Sequence, residues 1–130
     1  MKTLSFLLIV LAGLMVWSCT TPTDNNDEPE PVVTTSLTVE AQPAAIPADG
    51  ISQMVILAEY RLNGDAAPDS TRIILLNTIG TLGHGEVYTQ GGIAIDTLTA
   101  DTVVSLGMVY AIASGVRDSV EIAFEPVSQQ

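Results

Sequence analysis

Hydrophobic residues are distributed along the chain in three regimes. From Leu4 to Trp17 they form a run broken only by Ser5 and Gly13, preceded by the single positive charge of Lys2. Folded as a helix, that run would reach about 21 Å, short of a hydrocarbon core of ~30 Å. It has no polar face, so an amphipathic surface helix does not fit. A basic start, a short apolar middle and small residues behind it predict a cleaved signal peptide over residues 1–18. Apolar positions then almost vanish. Thr20 to Thr35 reads TTPTDNNDEPEPVVTT, with Pro22, Pro29 and Pro31 among Asp24, Asp27, Glu28 and Glu30. Such a stretch buries too little to offset its ordering entropy, so residues 19–35 are expected to form a disordered, extended acidic linker.

From Ser36 onward, short apolar segments alternate with Gly, Pro, Asn and Asp at near-regular spacing. Ser36 to Ala41 alternates with period two and places Leu37, Val39 and Ala41 on one side. Pro43 and Pro47 then allow only edge or irregular structure, because proline donates nothing to a ladder. Asp49-Gly50 marks a turn into a strand over Gln53 to Tyr60. Arg61 to Asp69, holding Asn63-Gly64 and Pro68, reads as a loop or hairpin turn. Thr71 to Asn77 has the apolar density of a central strand. The glycine-punctuated stretch from Gly80 to Gly92 leaves room for one short strand, at Val87-Tyr88. Ile93 to Thr99, Met108 to Ala113 and Ser119 to Phe124 complete about seven strands. No stretch carries a helical apolar stripe, and no repeat is visible. The predicted fold class is all-β, a sandwich over residues 36–126 followed by a short tail at 127–130.

Composition sharpens this picture. The chain has 4 Lys+Arg against 15 Asp+Glu, a formal net charge of −11. Beyond the leader the only cations are Arg61, Arg72 and Arg117, with no lysine. Nucleic-acid binding, which needs clustered basic residues, is excluded, and phosphorylated small-molecule substrates would be repelled. The only Trp is Trp17 and the only Cys is Cys19. A Cys–Trp–Cys core is therefore impossible, and the sandwich is expected to rest on aliphatic packing, which a domain of ~90 residues can supply.

A lone cysteine just behind a leader has no internal disulfide partner. Val16-Trp17-Ser18-Cys19 resembles the lipobox of bacterial lipoproteins. The resemblance implies cleavage before Cys19 and a diacylglyceryl group on its thiol, and Cys19 is the one site residue expected here. Two or three acyl chains, at about 0.8 kcal/mol per buried CH₂, make a lasting anchor. Thr20 after the cysteine resembles the pattern of outer-membrane rather than inner-membrane lipoproteins. The acids that follow resemble the surface-export tags of Bacteroidetes lipoproteins.

The β-rich part carries a second resemblance. Ala48-Asp49-Gly50, Val55 to Ala58 and Asn63-Gly64, then Pro68, Ile73 to Leu76 and Gly80-Thr81-Leu82, are similar in order and spacing to bacterial Ig-like domains of the invasin/intimin group. Gly92-Ile93-Ala94 with Leu98-Thr99-Ala100, and the segments Gly107 to Ser114 and Ser119 to Phe124, continue the match. The resemblance implies an Ig-like β-sandwich that serves as a stalk or spacer in surface adhesins and transfers no catalytic residues.

Other candidate chemistry is sparse. His84, in Gly83-His84-Gly85, is the only histidine, and its glycines suggest a mobile loop rather than a general base or metal ligand. No G-x-S-x-G elbow is present. Asp65 with Asp69, and Asp96 with Asp101, are placed near two loops where calcium could find oxygen ligands. Solvated loop tips are the simpler expectation for them, so no metal and no cofactor are assigned. Of the aromatics beyond the leader, Tyr60 and Tyr110 read as core residues, leaving Tyr88 and Phe124 as too few for a sugar platform. The expected function is a non-catalytic, lipid-anchored protein of the cell envelope, at the outer membrane, acting as structural spacer, assembly partner or minor adhesin. Its expected partners are the membrane and a protein in a surface assembly. The alternative is a Ca²⁺-assisted binding module for a surface glycan or other polymer.

Overall fold

A computed structural model describes residues 32–129. The expected signal peptide, Cys19 and the expected linker as far as residue 31 lie outside the described residues. The elements are β1 (Thr35–Gln42), β2 (Ala45–Pro47), β3 (Gln53–Leu62), β4 (Asp65–Ala66), β5 (Arg72–Asn77), β6 (Thr81–Leu82), β7 (Glu86–Tyr88), β8 (Ile93–Thr99), β9 (Ser105–Ala113) and β10 (Val116–Glu125). One sheet has the order β1-β3-β8-β6, with β4 folded back on β3, and the other has the order β2-β10-β9-β5-β7. The domain is an Ig-like all-β sandwich. The seven expected strands are present, and three short ones, β2, β4 and β6, bring the total to ten among the described residues.

The local reasons are readable. β1 keeps the expected alternation, with Leu37 and Val39 buried. It starts at Thr35 because the Asn63 side chain accepts the Thr34 N–H at 3.0 Å while Thr34 O accepts the Asn63 N–H at 2.7 Å. β2 is an edge strand, as its prolines require, and runs parallel to β10 through Ala45↔Ala123 and Ile46↔Phe124. Asn63 and Gly64, both at positive φ, form the two-residue turn joining β3 to β4.

Between the sheets lie Met54, Ile56, Ala58, Ile73, Leu75, Leu98, Val109, Ala111, Ile122 and Phe124, each at most 2% exposed. The core is not purely aliphatic. Phe124 is the largest fully buried side chain, and Tyr60 is buried in the same core cluster. Tyr110, expected inside, is instead on the outer face, because its neighbours Val109 and Ala111 take the inward positions of β9.

The two ends of the sandwich differ in what they carry. β1 and β10 run in the same direction, since β2, which continues β1, pairs parallel with β10. The start of β1 therefore shares one pole with the turns at 63–64 and 114–115. The end of β10 lies at the opposite pole, with the loops at 48–52 and 100–104.

Candidate functional site

Two carboxylates stand in inward-facing columns that are otherwise apolar. On β8 the inward positions are Ala94, Asp96 and Leu98, and Asp96 is only 3% exposed. Its oxygens accept the N–H groups of His84 at 3.0 Å, Gly85 at 2.9 Å and Thr97 at 2.8 Å, and one lies 3.1 Å from His84 Nδ1. Burial pushes the Asp96 carboxyl upward, but the N–H donors of Gly85, His84 and Thr97 outweigh it and hold the group below its ordinary value. The segment around His84 is a backbone nest closed on this anion.

Glycine is required there by proximity. A Cβ at Gly83 would lie 2.8 Å from Asp96 Oδ1, and Gly85 has a φ of +74°. The glycines expected to loosen this loop instead let it close on Asp96. The imidazole itself points outward with 76% of its side chain exposed.

On β10 the inward column is Val116, Asp118, Val120, Ile122 and Phe124. Asp118 Oδ2 accepts the N–H of Val39 on β1 at 2.9 Å. A third carboxylate, Asp49, shapes the 48–52 turn. It accepts the Ser52 hydroxyl and the N–H groups of Ser52 and Ile51, which lower its pKa.

The acids considered for calcium are dispersed. Asp96 is not at a loop tip but inside the sandwich. Asp101 accepts the Gly80 N–H at 2.8 Å, Asp69 accepts the Gly91 N–H at 2.9 Å, and Asp65 is exposed on β4. Among the described residues, no three or more His, Cys, Asp or Glu side chains converge as a metal site. Among the described residues, every buried side-chain N or O atom has a hydrogen-bond partner.

Surface hollows carry little chemistry. One of about 420 Å³ is lined by Tyr88, Gln90, Ile93 and Ile95. Its one titratable group, the Tyr88 hydroxyl, donates to Glu86 and lowers that carboxyl's pKa. Tyr88 is exposed and stands alone, without a second aromatic to complete a stacking platform in that hollow.

The signal for Asp96 and Asp118 is present in the sequence. Each is an acid interrupting a period-two apolar column, as in Val116-x-Asp118-x-Val120. Reading each loop for ligands, rather than each column for exceptions, passes over it.

No protein-family model matches the chain, and no curated protein matches it. Solved structures do. The D0-D1 domain of intimin superposes with a TM-score of 0.62 at 23% identity, covering 70% of this chain and 48% of that one. A C-terminal fragment of intimin, solved in complex with the intimin-binding domain of the translocated intimin receptor, gives 0.61 at 23%, covering 68% and 33%. The Yersinia pseudotuberculosis adhesin InvE gives 0.61 at 24%, covering 69% and 26%. This chain spans less than half the length of each. The likeness is one of fold, that of the Ig-like domains of intimin and invasin-type adhesins.

Proposed function

We propose that this Ig-like domain, with the fold of intimin and InvE modules, is the outward-held part of a non-catalytic cell-envelope lipoprotein anchored through Cys19. The observation that supports the reading is the lipobox-like Val16-Trp17-Ser18-Cys19 upstream of a domain with the fold of adhesin modules. An acylated Cys19 would tether the sandwich through the end at which β1 starts. A rigid sandwich serves as a spacer and presents two broad sheet faces to neighbours. Residues 19–35 act as the tether in this reading, and the outer membrane is the compartment it favours.

A non-catalytic role is supported by how the polar groups are used. Asp96, Asp118, Asp49 and Asp101 bind the protein's own backbone, and among the described residues His84 belongs to no group of three or more His, Cys, Asp or Glu side chains. The alternative of a Ca²⁺-assisted binding module has less to draw on, because Asp69, Asp96 and Asp101 already accept N–H groups.

Mass spectrometry of the N-terminal peptide from native membranes tests the anchor. The expected product starts at Cys19 and carries a diacylglyceryl thioether. An uncut leader, or an unmodified thiol on the membrane-extracted protein, would overturn the proposal.

A further inference from the structure

Along β9 and the adjoining part of β5, the outer face of the β2-β10-β9-β5-β7 sheet is apolar where a solvated sheet face alternates to polar. Leu106, Met108, Tyr110 and Ile112 follow one another along its outer side on β9, and Ile74 and Leu76 flank them on β5. Leu106 is 71% and Leu76 51% exposed, and among the described residues no third layer covers this face. The face also carries charges: Arg72 and Glu86 pair with each other on β5 and β7, and Arg117 and Glu121 stand on β10. On the opposite sheet, the outward aliphatics Val55, Leu57, Ile93 and Ile95 likewise share their face with Glu40, Glu59 and Arg61.

On β10 the charges are symmetric about one row of this face. Leu76, Tyr110 and Ser119 stand in one row across β5, β9 and β10. Arg117 lies two residues to one side of that row on β10 and Glu121 two residues to the other, both exposed on the same face. Place a second copy face to face with a two-fold axis along the row. β10 then lies over β10, Arg117 meets Glu121 of the other copy twice, and Met108 meets Ile112 twice. Ser119 sits on the axis. Aligned packing of two sheets accommodates this geometry, and a two-fold contact requires such self-complementarity.

We infer that this face pairs with the same face of a second copy of the chain, with Tyr110 and Leu76 at the centre and the Arg117–Glu121 pairs fixing the register. The inference stands apart from the lipid anchor, since it uses only residues of the sandwich.

The test is cross-linking of the full chain in its native membranes. Ser119→Cys places a thiol on the axis, and Thr97→Cys, on the outer face of the other sheet, is the comparison. The expected result is a homodimer through position 119 and none through position 97. Adding Arg117→Glu sets like charges against each other and should lower the dimer yield about tenfold, the effect of a modest change in association energy. Adding Glu121→Arg to that variant restores the pair in reverse and should recover the yield. Arg117 and Glu121 are both exposed, so these changes leave folding intact. The inference is overturned by equal cross-linking at 97 and 119, by a charge reversal without effect, by failure of the double reversal to recover the dimer, or by cross-linking of position 119 to a different protein.

Discussion

Asp118 on β10 holds the backbone N–H of Val39 on β1, 2.9 Å away and 79 residues earlier in the chain. The two strands belong to different sheets, so this one carboxylate closes the seam where β1 would otherwise present an unpaired edge donor. A charged acceptor in that position also blocks the addition of a foreign strand.

Asp118→Ala is therefore expected to lower stability by about 1–3 kcal/mol, the range for a charge-assisted bond lost and a donor left unpaired. Urea unfolding measures it as a lower midpoint with an unchanged slope. An unchanged midpoint would mean that water replaces the carboxylate without loss.

Asp96 should make the domain acid-sensitive. Its folded pKa lies below the ordinary value of 3.8, so its contribution is fully present above that value. The contribution fades as pH falls through the lower, folded-state pKa. Asp96→Asn is expected to lower stability at neutral pH and to flatten the pH dependence below about pH 4. Thermal melts of both proteins from pH 7 to pH 2 check this, and parallel curves would refute it.

How much of this was legible in advance depends on which residues are asked. Strand positions followed from alternation, and Asn63-Gly64 announced its hairpin. β2 and β6 carry no period of their own: β2 is three residues ending in Pro47, and β6 is two residues long. Their pairing is decided by partners such as Phe124 and Leu98, far away in sequence. Tyr110 faces outward against the expectation for a related reason. In Leu106 to Ala113 both columns are apolar, and the choice of inward column falls to Gly107, which must be small.

At Gly107 a Cβ would lie 2.7 Å from Thr78 Oγ1 and 2.8 Å from Ile79 Cδ1. Gly107→Ala should thus destabilise by about 1–3 kcal/mol through overpacking. Combining it with Ile79→Ala should cost less than the sum of the two single changes. Strict additivity would place the strain elsewhere.

Calcium offers a further check. A site filled at a hundred times its Kd adds about 2.7 kcal/mol, several degrees in the Tm of a domain this size. Melts in millimolar calcium and in chelator are expected to coincide. A shift of several degrees would favour the Ca²⁺-assisted alternative.

The parallel pairing of β2 with β10 has a mechanical consequence. Tension applied between the start of β1 and the end of β10 pulls these neighbours past one another along their length. Bonds such as Ala44 O to Ala123 N–H and Ala48 N–H to Glu125 O are then strained together instead of opening one after another. A module wired this way resists being drawn out by its ends, as suits an object tugged from one side while held at the other.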